Sequence, residues 1–265
     1  MKKLVFDYEM KLTFSSPVTD HRFQLRCVPA TGPRQQVVDV EVAIEPDVEL
    51  ETTIDSFDSV VMTGFIPQPH TIFSYSVKGI AFVDNAHIKS EIYKPLYRFN
   101  SALTIPGPCI ESMIAACRER IAGLPADATP IDQAWEVMDE VYQAFTYTPA
   151  STTIRTTAEQ ALAQRKGVCQ DYAHVMLSVC RHVGLTARYI AGLLGGEGAT
   201  HAWWRSTTTA VGSGSTPPTT AWSTTTTSPS PRARLPRLHA RHRHLLGYQV
   251  QQNQWVNASV HEQLL

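Results

Sequence analysis

Apolar and polar residues alternate in short runs over roughly the first 95 residues, which predicts β-strands. Three runs, residues 4–8, 37–44 and 59–62, are rich in β-branched or aromatic side chains and are bounded by Pro, Asp or Gly. Residues 72–77 alternate apolar with polar side chains, as a half-buried strand does. Because no helical period lies between these runs, residues 1–95 are expected to form an antiparallel β-sandwich-like domain.

The apolar period changes to three and four residues after position 110, which predicts helices. The first helical face carries Ile110, Met113, Ile114, Cys117 and Ile121. The second carries Ile131, Trp135, Met138, Val141, Tyr142 and Phe145. This second helix is expected to end before Pro149. We expect both faces to be buried in the core of a second domain.

Two more helices follow, each with a sequence signal at its start. Thr156 or Thr157 can cap the third helix, because Glu159 or Gln160 stands three residues further on. The fourth helix is expected from near Val168 to near Gly184. Its core-facing residues would be Tyr172, Val175, Met176 and Val179.

Strands are predicted after the fourth helix. Residues 186–192 have the pattern of one strand, and His201 starts another. Gly192, Gly195, Gly196 and Gly198 lie between them and predict a flexible loop. Helices followed by strands predict an α+β second domain over residues 96–204.

The composition narrows the class of protein. Apolar residues make up 43% and charged residues 18% of the 265 residues, and the formal net charge is −1, as in ordinary globular proteins that do not bind nucleic acid or membranes through overall charge. No run of about 18 apolar residues is present to span a membrane. Five widely spaced cysteines without a CxxC pair are typical of a reducing compartment. We therefore expect a cytoplasmic protein.

Cys169 and His201 are candidates for a thiol nucleophile and its base. Cys169 falls in the first turn of the fourth predicted helix, where the helix dipole and free N–H groups favour a thiolate. Gly167 permits a tight entry into this turn, and the backbone N–H of Cys169 could face an oxyanion. His201, on a later strand, could act first as base and then as acid on an acyl substrate.

Other cysteines and histidines have simpler interpretations. Isolated cysteines are most often small buried hydrophobes, and this is expected of Cys27, Cys109, Cys117 and Cys180. His174 is expected to pack or form hydrogen bonds locally. A metal site made of Cys169, His174, Cys180 and His182 is disfavoured, because these spacings do not place the four side chains on one helix face.

Several motifs resemble the core of bacterial transglutaminase-like proteins. They are Thr157-Ala158-Glu159-Gln160-Ala161-Leu162, Gly167-Val168-Cys169-Gln170-Asp171-Tyr172-Ala173-His174, Ala187-Arg188-Tyr189-Ile190-Ala191-Gly192 and Thr200-His201-Ala202-Trp203. The N-terminal half is similar to the β-rich region that precedes this core in the same family. Its supporting motifs are Ser16-Pro17-Val18, Gln24-Leu25-Arg26, Asp55-Ser56-Phe57-Asp58 and Pro69-His70-Thr71.

This resemblance implies a papain-like, transglutaminase-like α+β core with a Cys–His–Asp triad that acts on an amide through a thioester. Cys169 would be the nucleophile and His201 the general base. No metal or organic cofactor is implied. The expected partner is a protein or peptide substrate, with neither nucleic acid nor membrane involved.

The third residue of the implied triad is missing. In this family an Asp-Pro-Thr-Asn strand follows the histidine strand, but the chain has no aspartate after Asp171. A Thr/Ser/Pro-rich segment and then an Arg/His-rich segment take its place. A disordered linker would have this composition, yet a linker in mid-domain would leave the core sheet incomplete.

A shifted reading frame explains the segment better. Residues 204–208, back-translated as TGG AGG TCT ACC ACC with a G in front, read Val-Glu-Val-Tyr-His. Residues 215–220, as TCG ACC CCA CCA ACA ACT with a C in front, read Leu-Asp-Pro-Thr-Asn-Asn. Residues 232–237 hide Gly-Arg-Asp-Tyr-Pro in the remaining frame. We infer that a few single-nucleotide insertions or deletions scrambled residues 205–247, and we expect this segment to be poorly ordered.

The same inference argues against a nucleic-acid-binding site in this segment. The Arg/His-rich residues 232–244 could form a basic patch, but a frameshifted GC-rich gene also yields Arg, Pro, Ser and Thr. The expected organisation is a β-rich domain (1–95), a core (96–204), the scrambled remainder of that core (205–247) and a C-terminal remnant of the core (248–265).

Two functions remain open at this point. The first is a cysteine enzyme of protein or peptide amides, with hydrolysis favoured over amine transfer. The second is a non-catalytic peptide-binding module of the same fold, inactive because the triad aspartate is missing. Without its orienting partner a histidine loses the correct tautomer or rotamer, so the chain as sequenced is expected to have little or no activity.

Overall fold

The computed structural model divides the chain into two compact units. The described residues are 2–32, 35–83, 94–194, 196–198, 200–206, 234–236, 239–243 and 250–263. The first unit comprises Met1–His87, Ala191–His201 and Pro229–Leu265, and the second comprises Ile88–Ile190 and Ala202–Ser228. The first unit is rich in strands and the second contains the helices, so the predicted α+β class is confirmed.

The elements follow one another in three groups. The first strands are β1 (Lys2–Val18), β2 (His21–Arg26), β3 (Gln35–Glu45), β4 (Glu51–Ile54), β5 (Val60–Ile66) and β6 (His70–Val83). A 3₁₀ helix (Pro95–Arg98) is followed by α1 (Pro108–Ala122), α2 (Pro130–Ala144), β7 (Thr146–Tyr147), α3 (Ala158–Gln164), β8 (Lys166–Gly167) and α4 (Cys169–His182). The last strands are β9 (Ala187–Leu194), β10 (Gly196–Gly198), β11 (His201–Ser206), β12 (Arg234–Pro236), β13 (His239–Arg243) and β14 (Gln252–Gln263).

Two sheets make up the first unit, with strand orders β10-β14-β1-β6-β3 and β13-β2-β5-β4. Side chains alternate across a strand, and on β1 every second residue from Leu4 to Phe14 is buried. The core formed in this way also takes Phe23 and Leu25 from β2 of the other sheet. The Phe23 and Phe73 ring centroids lie 4.7 Å apart, so the inner faces of the two sheets pack on each other. The predicted sandwich-like N-terminal domain is confirmed.

The C-terminal residues join this first sheet, which differs from the expected organisation. We expected residues 248–265 to belong to the core of the second domain, but β14 pairs antiparallel with β1 over twelve residue pairs, from Lys3 with Gln263 to Phe14 with Gln252. Ala258 and Val260 on β14 are buried in the first unit, because they alternate on its inner face. Their burial explains why this segment pairs with the N-terminal strand.

The predicted glycine loop is wrong where it is described. Gly192 lies within β9, and residues 196–198 form β10, which pairs with β14. Gly195 lies outside the described residues. The strand expected at His201 is confirmed as β11, and the strands of this region form a sheet in the order β11-β9-β12.

The segment expected to be scrambled contains two described strands beyond β11. Strand β12 pairs with residues 192–194 of β9, and β13 pairs with β2 from His239 opposite Arg26 to Arg243 opposite Arg22. These short stretches are therefore placed in sheets, contrary to the expectation of poor order. The rest of the expectation concerns residues 207–233, 237–238 and 244–247, which lie outside the described residues.

Four helices build the second unit, and their apolar faces form one core. The predicted faces of α1 and α4 are confirmed, since Ile110, Cys117, Val175 and Val179 are fully buried there. None of the helices in the described part of the chain is long and apolar enough to cross a bilayer.

The predicted face of α2 is partly wrong. Trp135 is 42% exposed and Tyr142 is 39% exposed. The buried residues of α2 are Ala134, Val137, Met138 and Val141, which recur at three and four residues. The sequence pattern alone did not separate this narrower stripe from the neighbouring aromatic residues.

Side chains cap the starts of α3 and α1. Thr157 and Gln160 form the capping box of α3, which confirms one of the two predicted pairs. The Glu159 carboxylate instead accepts N–H groups of Gly107, Cys109 and Ile110 at the start of α1. Helix α1 needs this remote acceptor because its own N-cap residue, Gly107, has no side chain to offer.

Candidate active site

Cys169 is the first residue of α4, as predicted. The preceding Val168 has an extended backbone, with φ −115° and ψ −179°, and its N–H donates to Asp171 Oδ2 at 2.7 Å. Thr152 donates its hydroxyl hydrogen to the same oxygen at 2.6 Å. This carboxylate therefore holds the turn that presents Cys169, which is half-buried.

Asp171 was not identified as a site residue from the sequence. Its side chain is fully buried, and within the described residues its Oδ1 has no hydrogen-bond partner. An aspartate three residues after a helix N-cap is a recognisable capping signal, and this signal could have identified it. The burial of the carboxylate beside the thiol could not have been read from the sequence.

Close approach to Asp171 gives the physical reason for Gly167. A Cβ added to Gly167 would lie 2.7 Å from Asp171 Cβ and 2.8 Å from Oδ2, well inside ordinary contact. The glycine is thus required for space at the start of α4. The tight entry into α4 expected at Gly167 thus has a defined cause, the close approach of the Asp171 side chain.

Gly167→Ala is expected to lower the free energy of unfolding by about 1–2 kcal/mol, because the new methyl group must displace the buried Asp171 side chain. Urea denaturation measures the change. Gly32→Ala is the matched control, since a Cβ there meets no atom within 4 Å. Equal stabilities of the two variants would contradict this explanation of Gly167.

The thiol of Cys169 experiences opposing effects. Burial raises its pKa above that of an ordinary cysteine, and the nearby Asp171 charge raises it further. Hydrogen bonds from the backbone amides of Ala202, Gln170 and Cys169 itself oppose this rise in pKa without cancelling it. The lowered pKa expected for a catalytic cysteine is therefore not produced by these neighbours, and a thiolate at neutral pH needs a further positive group.

Asp171→Asn is expected to lower the pKa of the Cys169 thiol, because it removes a negative charge that disfavours the thiolate. The asparagine oxygen still accepts from Val168 and Thr152, so the helix start should persist. The midpoint of the pH dependence of Cys169 alkylation should move to lower pH. Asp127→Asn, at an exposed position, should leave it unchanged. A midpoint that stays in place or rises with Asp171→Asn would be the contrary result.

His201 is half-buried at the first position of β11. The next residue, Ala202, directs its backbone amide to the Cys169 thiol. The start of β11 is thereby tied to the start of α4. The assignment of Cys169 and His201 as a catalytic pair stays a prediction. The segment in which the resemblance expects the aspartate falls largely in residues 207–233, outside the described residues.

An apolar pocket opens beside Cys169. It has a volume of about 380 Å³ counted out to its mouth. Met138 and Tyr142 of α2, Met176 of α4 and Trp203 of β11 contribute to its wall together with Cys169. The helical periodicity predicts Met138 and Met176 on core-facing stripes and does not indicate a pocket.

The other cysteines divide into two kinds. Cys27, Cys117 and Cys180 are buried, as predicted, and burial raises the pKa of Cys27 and Cys117 to about 12. Cys109 differs from the prediction, because it is only half-buried at the start of α1. A hydrogen bond to Glu159 raises the pKa of its thiol.

His174 and the metal ligands considered from sequence have definite surroundings. His174 is buried and its ring centroid lies 5.3 Å from that of Tyr189, which confirms that it packs locally. His182 Nδ1 lies 2.7 Å from the Ser178 carbonyl oxygen. Among the described residues, no group of three or more His, Cys, Asp or Glu side chains could hold a metal ion.

Comparison with known proteins connects this site to a family. The profile of the transglutaminase-like superfamily matches residues 115–227, and that of the bacterial transglutaminase-like N-terminal region matches residues 6–81. An uncharacterized protein of Mycobacterium leprae is 27% identical over 214 residues, which are 72% of this chain and 74% of that protein. An uncharacterized protein of Mycobacterium bovis is 38% identical over 79 residues, 26% of this chain and 25% of that protein.

A solved structure shares the fold. A proposed cysteine protease from Cytophaga hutchinsonii superposes with a TM-score of 0.58 at 17% identity, covering 77% of this chain and 72% of that one. This likeness confirms the fold. With both family profiles matched in the expected order along the sequence, the chain belongs to the transglutaminase-like superfamily and carries the bacterial transglutaminase-like N-terminal region.

Proposed function

We propose that the chain is a cysteine enzyme of protein or peptide amides, with Cys169 as nucleophile and His201 as general base. The observation that supports this is the environment of the Cys169 thiol. It lies at the N-terminus of α4, receives the backbone amides of Cys169, Gln170 and Ala202, and borders a pocket. Backbone amides in such a place also suit the oxyanion of an acyl-transfer reaction.

The proposed chemistry runs through a thioester. His201 takes the proton of the Cys169 thiol, and the sulfur attacks the amide carbon to give a tetrahedral oxyanion. The carbon–nitrogen bond then breaks, and His201 returns the proton to the leaving amine. Water, activated by His201, attacks the thioester, so that a carboxylic acid leaves and the thiol is regenerated.

Hydrolysis is proposed over amine transfer. The two outcomes differ only in whether water or an amine reaches the thioester. The resemblance to bacterial proteins with this N-terminal region favours a protease or amidase over a cross-linking enzyme, and the structural neighbour from Cytophaga hutchinsonii is a proposed cysteine protease. Added primary amines should therefore leave the release of free acid as the main product.

The second candidate is a non-catalytic peptide-binding module of the same fold. The absence of an aspartate after Asp171 favours it, because the sequence lacks the family's Asp-Pro-Thr-Asn motif, which carries the third triad residue. In our proposal this absence lowers the activity of the chain as sequenced, but the chain is still an enzyme by origin. Little activity is expected until the missing strand is restored.

The proposed partner is a protein or peptide substrate, with neither nucleic acid nor membrane as a ligand. A cytoplasmic setting is proposed because all five cysteines are free thiols, as a reducing compartment maintains. No organic cofactor or metal takes part in the proposed steps.

Alkylation by iodoacetamide at neutral pH distinguishes the enzyme from the module. Burial or a neighbouring acid raises the pKa of each of the other four thiols. Among the five cysteines, only the Cys169 thiol receives several backbone N–H groups, one of them from Ala202 next to His201. We expect peptide mass spectrometry to find Cys169 labelled first, and His201→Ala to slow that labelling while leaving Cys109 unaffected.

Cys109 is the internal reference for this experiment, because it is half-buried but remote in sequence from the proposed site. Uniform labelling of the cysteines, or a rate at Cys169 that does not respond to His201→Ala, would reject the proposed enzyme and favour the module. Circular dichroism of His201→Ala should match the unaltered chain, so that a loss of labelling is not a loss of fold.

A further inference from the structure

We infer that the pocket beside Cys169 selects an apolar side chain of the peptide, adjacent to the amide that Cys169 attacks. The position of that side chain relative to the reacting amide rests on the proposed function. The binding preference itself depends only on the pocket. It can therefore be tested through the reactivity of Cys169 without any catalytic turnover.

Three elements of the second unit enclose the pocket. Helix α2 contributes Met138 and Val141, α4 contributes Cys169 and Met176, and β11 contributes Trp203. The volume of about 380 Å³ includes the open space at the mouth, so a peptide side chain would lie partly against the wall and partly at the rim. Met138 and Met176 are unbranched and flexible, so the wall can adjust to side chains of different shape.

The chemistry of the wall specifies the kind of side chain. No Lys, Arg, Asp, Glu or His is among the described residues that line the pocket, so a charged side chain would lose its hydration and gain no counter-ion. An apolar side chain loses no hydrogen bonds there and removes apolar surface from water on both sides. The pocket should accept leucine, methionine or phenylalanine and reject lysine, aspartate or glutamate.

Exposed aromatic residues extend this apolar surface along α2. Trp135, Met138 and Tyr142 are spaced three and four residues apart and therefore lie on one stripe of the helix. Trp135 and Tyr142 are exposed, although the sequence pattern predicts both in the core. Exposed apolar residues beside a pocket are typical of a binding surface, and Trp135 and Tyr142 lie on the same helix stripe as the pocket residue Met138.

Trp203 adds a donor to the wall. Its side chain is 3% exposed, and its indole Nε1 has no hydrogen-bond partner within the described part of the chain. Buried indole N–H groups normally find an acceptor. A backbone carbonyl of a bound peptide would supply an acceptor for the Trp203 indole N–H.

Two chloroacetamides test the preference. One carries a benzyl group on nitrogen, and the other is chloroacetylglycine, which carries a carboxylate. Their rates at Cys169 are measured by peptide mass spectrometry at one mildly alkaline pH and divided by their rates at Cys109, which does not line the pocket. We expect the benzyl reagent to be favoured at Cys169 by about tenfold, the discrimination typical of an apolar pocket.

Tyr142→Lys places a positive charge in the pocket wall at a position that is already partly exposed, so the fold should tolerate it. It should remove the preference for the benzyl reagent. Tyr147→Lys is the matched control, because Tyr147 is also 39% exposed but does not line the pocket, and it should keep the preference. Equal rates in the unaltered chain, or a preference that survives Tyr142→Lys, would overturn the inference.

The outcome is separable from that of the proposed function. Alkylation needs a thiolate and a binding pocket, but neither acyl transfer nor the missing aspartate. If the chain prefers the benzyl reagent but never forms a thioester, the inference about the pocket stands and the proposed enzymatic function is rejected. If the chain forms a thioester but shows no preference for the benzyl reagent, the proposed enzymatic function stands and the inference about the pocket is rejected.

Discussion

Restoring the reading frame across residues 205–247 is expected to raise the rate of amide cleavage by about 10³ to 10⁴, the effect of giving a catalytic histidine its orienting carboxylate. The restored gene would place Asp-Pro-Thr-Asn on a strand after His201, where the family carries its third catalytic residue. The measurement is the release of peptides from a dye-labelled unfolded protein such as casein, with the sequenced and restored chains compared at equal concentration.

Two controls separate catalysis from improved folding. Restored chains with Cys169→Ala, or with asparagine in place of the restored aspartate, should fold like the restored chain and lose most of the gain. A restored chain no more active than the sequenced one would contradict the assignment of a broken triad. Resequencing that returns residues 204–246 unchanged would remove a sequencing error as the origin, leaving a lesion in the gene itself.

Glu159→Gln is expected to lower the free energy of unfolding of the second unit by about 2–3 kcal/mol. The carboxylate of α3 receives N–H groups from Gly107 at 3.1 Å, Cys109 at 2.8 Å and Ile110 at 3.0 Å. Glutamine keeps one acceptor oxygen but loses the second and the charge that the N-terminus of α1 favours. Urea denaturation monitored by helix content measures the loss.

The pH dependence of this effect has a definite sign. Burial raises the pKa of Glu159, but the N–H groups of Ile110, Cys109 and Gly107 outweigh burial and hold the pKa below its ordinary value. The stabilisation is therefore fully present above the unfolded pKa of about 4.3 and is lost as pH falls through the lower folded pKa. The gap between the unaltered chain and Glu159→Gln should narrow on acidification.

Glu111→Gln is the matched control for this prediction. Glu111 lies in the first turn of α1, carries the same charge and is exposed, so its replacement should cost only a few tenths of a kcal/mol. A loss at Glu159 no larger than that at Glu111 would show that the remote cap does not stabilise α1.

Periodicity predicted the helices of the second unit well, because their buried faces follow the helical repeat. The Ile110, Met113, Ile114 and Cys117 stripe corresponds to the buried face of α1, and Thr157 with Gln160 forms the expected cap. Periodicity says less about where a wide apolar face ends. The pattern predicts Trp135 and Tyr142 on the buried face of α2, but both are exposed. The buried residues of this helix are Ala134, Val137, Met138 and Val141.

Long-range pairing could not be predicted from local pattern. The alternation in residues 252–263 indicates a strand but does not say that its partner is β1, at the other end of the chain. The acceptor for the start of α1 is likewise a carboxylate on α3, and no local signal connects Glu159 with Gly107. Both features depend on packing that forms only when distant segments meet.

The candidate site was predicted in outline through its resemblance to a family, and the structure supplied its physical detail. The motif around Cys169 and His201 is the basis of the proposed chemistry. The space that Gly167 leaves for Asp171, the raised pKa of the thiol and the apolar pocket all depend on neighbours in three dimensions. Because the pKa of the thiol is raised, the proposed mechanism needs a base such as His201 to take its proton.

Capture of an acyl group on Cys169 tests the central claim most directly. The restored and sequenced chains are each mixed with 4-nitrophenyl acetate, quenched in acid and analysed by peptide mass spectrometry. We predict one acetyl group on Cys169, removable by hydroxylamine, formed faster in the restored chain and strongly slowed by His201→Ala. Acetylation spread over the exposed nucleophiles, with none enriched at Cys169 in either chain, would contradict the account.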